Sequence, residues 1–177
     1  MILATPRLIL RPWREEDLEP FAALNADPEV MRYYPAPYSR EESRQYLERT
    51  RAKTEAGGFC WMAVERPGVA AFIGLIGISV PSLEAHFTPC VEIGWRVARA
   101  HWGQGLATEG ARAVLDHAFT VLGLEEVVAY TARVNQPSRR VMEKLGMTRD
   151  PGDDFRHPRL SGDHPLSEHV LYRTRGR

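Results

Sequence analysis

Along the chain, stretches in which apolar positions recur every two residues alternate with stretches in which they recur about every 3.6 residues, which predicts a mixed α/β fold. Residues 7–11 alternate weakly between two prolines and predict a short strand. One helix is predicted from about Asp17, and a second starts at the capping box Ser39-Arg40-Glu41-Glu42 and runs through Ala56 to its end at Gly57-Gly58. Apolar runs at residues 59–64, 71–80 and 89–97 predict three strands that are joined by turns and are therefore antiparallel neighbours.

The second half of the chain predicts two helices and two strands. An apolar stripe at helical spacing runs from Leu106 to Leu122, and Gly123 follows where a left-handed helix end is expected. Strands are predicted at 127–131 and 169–172, with a short helix at 137–145 between them. Residues 150–164 are predicted to form a polar surface loop with no metal site, because their acidic and histidine side chains match no ligand spacing. These side chains are Asp153, Asp154, His157, Asp163 and His164.

Composition narrows the classes of protein. At 177 residues with 44% hydrophobic residues, the chain is expected to form one domain over residues 1–177. Lys plus Arg and Asp plus Glu both number 23, which argues against a nucleic-acid partner. Cys60 and Cys90 lack the spacing of metal or redox motifs and are expected to be reduced core residues. Charges interrupt the first apolar runs, so no signal peptide or membrane span is expected, and we predict a cytoplasmic protein.

The helix that begins at Leu106 has no side-chain cap before it. The four N–H groups at a helix start normally find a Ser, Thr, Asp or Asn acceptor, but here the chain enters through Gly103-Gln104-Gly105. Glycines permit unusual backbone angles and close ligand approach, so the free N–H groups and the positive helix end favour a bound phosphate. The alternative is a tight turn with Thr108 as a late cap.

A second polar loop opens the helix predicted at 137–145. Taken alone, Asn135 reads as a turn residue or cap and Ser138 as a first-turn residue. Together with the glycine loop, however, the segment Asn135–Met147 resembles the GNAT superfamily of acetyl-coenzyme A-dependent N-acetyltransferases, and within it the RimJ/RimL-type subgroup that acetylates ribosomal-protein amino termini. The resemblance covers essentially the whole chain, including residues 5–12 and Glu92-Ile93-Gly94-Trp95. One departure is Ala100, because the family often has Gln or Arg three positions before the first glycine.

The resemblance implies an α/β fold with a strongly bent mixed sheet, flanked by helices and split between its fourth and fifth strands, with acetyl-coenzyme A in the split. Arg96 and Val97 are implied to lie at a bulge whose free backbone groups hold the pantetheine arm and polarise the thioester carbonyl. Asn135 and Ser138 are implied to face the other side of the cofactor. The residues implied to hold the pyrophosphate are His101, Trp102, Gly103, Gln104, Gly105, Leu106, Ala107 and Thr108.

The chemistry of acetyl transfer requires a neutral amine and a proton for the departing thiolate. Glu92 occupies the strand position from which members of the family often supply the base, and Gly94 on the same face is expected to leave open space beside it. The alternative is a surface Glu92 that pairs with Arg96. Many relatives use a Tyr as the acid, but residues 135–147 contain none, so Ser138 is the substitute. No nucleophile elbow is present, which favours direct transfer over an acyl-enzyme.

The acceptor is not identified by the sequence. Residues 31–38 form an aromatic, proline-containing segment in which Tyr33 and Tyr34, with Glu92, are candidates for substrate binding; the alternative is a loop that packs on the core. A protein amino terminus, an antibiotic amine, a polyamine and an amino-acid derivative all stay open as acceptors, and a homodimer stays open as an assembly.

Two other classes of protein share some of these sequence features, a dinucleotide-binding domain and an acyl-coenzyme A sensor. A dinucleotide-binding domain fits poorly, because Thr108 stands where its third glycine is needed and Glu125 precedes its strand. A non-catalytic acyl-coenzyme A sensor would share the fold and the cofactor loop, so only turnover separates it from an enzyme.

Overall fold

A computed structural model describes residues 1–59 and 61–176 of the chain. Single 3₁₀ turns lie at Glu15–Asp17, Arg99–His101 and Pro151–Asp153. The helices are α1 Leu18–Ala26, α2 Arg40–Glu55, α3 Leu106–Thr120 and α4 Gln136–Lys144. The strands are β1 Leu3–Ala4, β2 Ile9–Arg11, β3 Trp61–Arg66, β4 Ala70–Ser79, β5 Glu92–Val97, β6 Glu126–Ala132, β7 Thr148–Arg149, β8 Phe155–Arg156 and β9 Glu168–Arg175.

The strands form one mixed sheet, in the order β1-β2-β3-β4-β5-β6-β9-β7, with β8 paired to β9. All neighbouring pairs are antiparallel except β5 and β6. That parallel pair has a single registered partner, Glu92 with Val128, after which the two strands no longer pair. The predicted α/β fold is confirmed, and the strands that separate are the fifth and sixth because the two-residue β1 precedes the others.

Helices cover both faces of the sheet. Met62 and Val64 of β3 belong to the main hydrophobic cluster with α3 and α4, whereas Ala63 between them belongs to a cluster with α1 and α2. Successive side chains of a strand point to opposite faces, so the two helix pairs lie on opposite sides. The close fit of α3 depends on Gly110, where a Cβ would lie 2.6 Å from the Ile76 Cδ1 atom.

Local signals at the helix ends are confirmed. The Ser39 hydroxyl accepts from the Glu42 backbone N–H at 3.1 Å and the Glu42 carboxylate accepts from the Ser39 N–H at 2.7 Å, which is the capping box. Gly123 and Gly146 have φ of +67° and +79°, the left-handed conformation expected after α3 and α4. The helix α3 ends at Thr120, two residues before the end of its apolar stripe.

Several boundaries differ from the sequence predictions, because backbone pairing alone creates the shortest strands. β1, β7 and β8 have two residues each and carry no periodicity that could reveal them. The last strand extends beyond the predicted 169–172, since residues 169–175 all pair with β6. β8 and a 3₁₀ turn interrupt the loop predicted at 150–164, where Asp153 and Asp154 bind Arg173 and Arg149.

Cys90 is a half-buried free thiol, and burial raises its pKa to about 11; Cys60 lies outside the described residues. In the part of the chain that the structure describes, no helix is long and apolar enough to cross a membrane.

Candidate active site

The glycine loop enters α3 with a row of unused backbone donors. Gly103 and Gly105 have φ of +72° and +76°, and Gly105 occupies the cap position of α3 without any side-chain cap. The first N–H bonded in the helix is that of Glu109, which donates to the Gly105 carbonyl at 3.0 Å. Among the described residues, the N–H groups of residues 103–108 have no acceptor, and Thr108 caps none of them. An array of this kind at a helix N-terminus binds anions.

Side chains hold this loop in place and add positive charge. The Gln104 side chain donates to the Ala100 carbonyl at 3.2 Å and accepts from the Arg66 guanidinium at 2.9 Å. Arg7 donates to the Gln104 backbone carbonyl at 3.0 Å and is itself paired with Glu109 at 2.6 Å. Two guanidinium groups therefore contact the loop, and its positive potential suits a pyrophosphate.

The other residues expected to hold the pyrophosphate have different surroundings. The Trp102 indole N–H donates to the Val97 carbonyl at 2.7 Å, which ties the loop to the end of β5. Burial, followed by the charge of Arg66, lowers the pKa of His101. The Leu106 side chain lies in the core, so only its backbone faces the loop, and Ala107 is half-buried.

The gap between β5 and β6 exposes backbone groups. The Val128 N–H donates to the Val91 carbonyl at 2.9 Å, so the odd-numbered residues of β5 direct their N–H and C=O groups toward β6. Beyond the single pair at Glu92, no strand partner among the described residues reaches Trp95 or Val97 from that side. The β4–β5 ladder itself runs in continuous register from Gly74–Val97 to Ser79–Glu92. The bulge expected at Val97 is therefore wrong, and the free groups arise from strand separation.

Glu92 lies at the last point where β5 and β6 meet. Its pKa is raised, mainly because burial disfavours the carboxylate, while a hydrogen-bonding interaction with the Tyr130 hydroxyl and the charge of Lys53 act in the opposite direction. Tyr130 stands two residues after Val128, the registered neighbour of Glu92, and therefore on the same face. Burial also raises the pKa of Tyr130, so its hydroxyl stays protonated and can act as a hydrogen-bond donor.

Gly94 does not leave the open space that was expected beside Glu92. A Cβ at Gly94 would lie 2.9 Å and 3.0 Å from two atoms of the Trp61 indole ring. Trp61 comes from β3, two strands away, and its ring fills the place that the absent side chain leaves. Gly94 is thus needed for close packing, and Trp61 becomes a wall of the same face of the sheet.

Arg96 lies on the Glu92 face, but the two side chains do not form an ion pair among the described residues. The Arg96 side chain is buried, and its guanidinium donates to the Asn25 side-chain oxygen. The guanidinium carbon lies 4.3 Å from the ring centre of Tyr34 and 5.4 Å from that of Tyr38. The alternative of a Glu92–Arg96 pair is therefore not seen, and the Arg96 side chain lies with the aromatic segment 31–38.

The two tyrosines predicted to bind substrate have different contacts. Tyr34 stacks on Arg96 in the manner just described, whereas Tyr33 stacks on Arg32, whose guanidinium carbon is 4.6 Å from the ring centre. Both rings are half-buried. Only Tyr34 is thereby connected to the face that carries Glu92.

Asn135 acts as the cap of α4. Its side-chain oxygen accepts from the Ser138 N–H at 3.2 Å, and its amide donates to the Thr131 hydroxyl at 2.9 Å. Both polar atoms of its side chain are therefore hydrogen-bonded within the protein, and the interpretation of Asn135 as a cap is confirmed. The Ser138 hydroxyl has no hydrogen-bond partner within residues 1–59 and 61–176, so it is available to a ligand.

Sequence reasoning missed four side chains around Glu92: Trp61, Tyr46, Lys53 and Tyr130. Tyr46 of α2 is half-buried and interacts electrostatically with both Glu92 and Arg96. Lys53, which acts on Glu92, stands two turns later on the same helix. Strand register could have revealed Tyr130. No local signal identifies the other three, because the packing of β3 and α2 decides their position.

A groove of about 550 Å³ lies beside the glycine loop. It runs along α3 from Gly105 to Asp116 and is bordered by Thr5, Arg112 and Lys144. In the described part of the chain, no cluster of three or more His, Cys, Asp or Glu could hold a metal ion.

Comparison with known proteins gives one consistent family. The family model described as an acetyltransferase (GNAT) domain matches residues 7–148. The uncharacterized protein YkkB of Bacillus subtilis is 33% identical over 82% of this chain and 84% of its own length. An FsC-acetyl coenzyme A-N(2)-transacetylase of Aspergillus fumigatus is 36% identical over 82% of this chain and 64% of its own length. Spermidine N(1)-acetyltransferase of Escherichia coli K12 is 29% identical over 78% of this chain and 72% of its own length.

Solved structures share the fold over nearly the whole chain. A GNAT-family acetyltransferase from Bacillus anthracis superposes with a TM-score of 0.81 at 25% identity, covering 99% of this chain and 98% of that one. RimJ of Mycobacterium smegmatis, solved with a coenzyme A disulfide, has a TM-score of 0.76 at 21% identity, covering 99% and 86%. This last likeness concerns the fold alone.

Proposed function

Because this chain belongs to the GNAT family of acetyl-coenzyme A-dependent acetyltransferases, we propose that it transfers an acetyl group directly to a primary amine at the gap between β5 and β6. The observation that carries this proposal is that a single strand, β5, connects a candidate base at its start with the anion-binding loop at its end. β5 begins with the half-buried Glu92, and its far end is tied through Val97 and Trp102 to the uncapped loop of α3. The acceptor is either a protein amino terminus or a small molecule.

The loop and the gap suit coenzyme A. Phosphate oxygens would accept from the free N–H groups of residues 103–108, with Arg7 and Arg66 close by. The space above the loop is open, since a Cβ at Gly103 would meet nothing within 4 Å. The pantetheine arm would pair with the free backbone groups of Trp95 and with the Val97 N–H, and the Ser138 hydroxyl would face it from α4.

Glu92 suits the role of general base. The amine arrives protonated, and only its neutral form can attack the thioester carbonyl. A carboxylate whose pKa is raised by burial accepts that proton more readily at neutral pH than an exposed one. As the new C–N bond forms and the C–S bond breaks, the sulfur leaves as a thiolate, and the Ser138 hydroxyl is our candidate to donate a hydrogen bond to it. The attacking nitrogen then loses its second proton, and the thiolate gains one from solvent, so that the products are an amide and a thiol.

The test compares wild type with Glu92→Gln in acetyl-coenzyme A-dependent thiol release, using an amine found by panel screening. We expect the rate to fall by about 10²- to 10⁴-fold at neutral pH, the range typical of a removed general base. The loss should shrink as pH rises, because the amine then loses its proton to water. Glu84→Gln, an exposed carboxylate on a loop, is the matched control and should leave the rate unchanged.

Two results would contradict the proposal. A ratio of wild type to Glu92→Gln near one at every pH would remove Glu92 from the mechanism. Binding of acetyl-coenzyme A without thiol release for any amine would instead favour an acyl-coenzyme A sensor over an enzyme.

A further inference from the structure

Arg96 is a buried cation without a counterion. Its side chain is 93% buried, yet no carboxylate within residues 1–59 and 61–176 lies within 4.0 Å of its guanidinium. The other buried arginine, Arg11, shows the usual solution, since it forms ion pairs with Asp17 at 2.8 Å and Glu65 at 3.1 Å. Buried charges are normally paired, so the isolation of Arg96 requires an explanation.

The contacts of Arg96 within the chain satisfy only part of its guanidinium. One terminal nitrogen donates to Asn25, and the rings of Tyr34 and Tyr38 provide cation–π stabilisation. The Nε–H group is buried and has no hydrogen-bond partner among the described residues. An unsatisfied buried donor costs stability. If Arg96 served only to hold the aromatic segment 31–38, nothing would offset the cost of its unpaired Nε–H group.

The charges around this face of the sheet are mostly positive. Lys53 of α2 acts on Glu92, and Arg159 acts on Tyr130, so two further cations lie near the acceptor side. The carboxyl of Glu92 lies on the same face, and burial favours its neutral form. A polycationic acceptor would meet repulsion here, whereas an anionic group would be attracted.

We propose that the acceptor is an amine that also carries a carboxylate several bonds away, as the side-chain amine of lysine does, with its amine at Glu92 and its carboxylate at Arg96. This inference rests on the acetyl transfer proposed above. Residues 92 and 96 point to one face of β5 and lie about 13 Å apart along it, and Tyr46 interacts with both of their side chains. The carboxylate reaches the guanidinium by displacing one tyrosine contact of the segment 31–38, whose residues 35–37 are exposed.

The experiment uses acceptor pairs that differ in one group. Each amino acid whose reacting amine lies several bonds from its free carboxylate is matched with its carboxamide. The whole protein, acetyl-coenzyme A and thiol release give kcat and KM for both members of each pair. We expect kcat/KM to be about tenfold to a hundredfold higher for the carboxylate, as for a lost charge-assisted hydrogen bond, with the difference mainly in KM. Spermidine should be a poor acceptor.

Variants separate recognition from folding. Arg96→Gln should bring the two members of a pair within about threefold of each other, and Arg96→Lys should restore part of the preference because it keeps the charge. Arg49→Gln, the same change at an exposed position of α2, is the control and should keep the full preference. Lys53→Gln changes an exposed residue and should weaken the preference even where Arg96→Gln fails to fold.

Three results would overturn the inference. Wild type could use carboxamides as well as carboxylates, Arg96→Gln could slow both members equally, or Lys53→Gln could leave the preference intact where Arg96→Gln is unfolded. Each of these leaves acetyl transfer standing. Absence of thiol release with every amine contradicts the proposed function itself, and the two failures are therefore distinguishable.

Discussion

Gly105→Ala should separate cofactor binding from folding, because an equivalent glycine stands at the other end of the same helix. Gly105 and Gly123 have nearly equal φ, +76° and +67°, and a Cβ at either would meet no backbone atom within 4 Å. Forcing an alanine into the left-handed region costs about 1–2 kcal/mol, so both variants should lose similar free energy of unfolding. Only Gly105→Ala disturbs the free N–H groups at the start of α3.

The expected loss of affinity follows from those donors. If the Gly105 backbone relaxes toward negative φ, the N–H groups of residues 105 and 106 turn away from a bound phosphate. A hydrogen bond to a charged group contributes about 1.5–3 kcal/mol, so losing one should raise the Kd of acetyl-coenzyme A about tenfold to a hundredfold. Gly123→Ala should leave that Kd unchanged.

Calorimetric titration with acetyl-coenzyme A gives the Kd, and urea unfolding without ligand gives the stability of each variant. Saturating acetyl-coenzyme A at a hundred times its Kd should add about 2.7 kcal/mol to the unfolding free energy of wild type, whereas NAD should add nothing. Equal affinities of Gly105→Ala and wild type would refute the assignment of the loop. So would an equal loss in Gly123→Ala, because the effect would then come from general destabilisation.

Three further changes test the energetics of the fold and site. Glu92→Gln should raise the free energy of unfolding at pH 7, because burial raises the pKa of Glu92 and its ionised form therefore destabilises the fold; the gain should vanish as pH falls below about 4, which urea unfolding at several pH values measures. Ser39→Ala should cost about 1 kcal/mol of stability without changing the Kd of acetyl-coenzyme A, since it removes only the cap of α2. Gly74→Ala should cost more than about 2 kcal/mol in the same unfolding assay, because its Cβ would lie 2.1 Å from the Arg96 carbonyl oxygen and its φ is +152°. A wild-type midpoint for Gly74→Ala would show that the β4–β5 contact is looser than this distance implies.

The parts of the site that could be predicted from sequence are those that depend on neighbouring residues. Two glycines and a missing cap within Gly103–Leu106 indicate free N–H groups wherever the helix packs. Strand alternation likewise places Glu92 and Arg96 on one face without any knowledge of the fold. Asn135 could be interpreted as a cap from its residue type and its place just before the predicted helix, and the structure confirms that cap.

The rest depends on contacts between distant segments, and the sequence shows no pattern for them. Trp61 fills the place beside Gly94 only because β3 and β5 both pair with β4. The partner of Arg96 is Asn25, 71 residues away, so the alternative of a local pair with Glu92 was reasonable and wrong. The bulge expected at Val97 fails for a similar reason, since strand separation frees the same backbone groups without one.

The separation of Glu92 and Arg96 is itself informative about function. Two opposite charges on one strand face would stabilise the fold most by pairing with each other, yet Arg96 binds Asn25 and two tyrosines while Glu92 interacts with Tyr130. Pairing would lower the pKa of Glu92 and weaken it as a base, and it would also cancel the charge of Arg96. Keeping the two apart preserves a carboxyl that can take a proton and a guanidinium that can attract an anion. An acceptor with an amine and a carboxylate uses both groups, because its ammonium can pair with Glu92 and its carboxylate with Arg96.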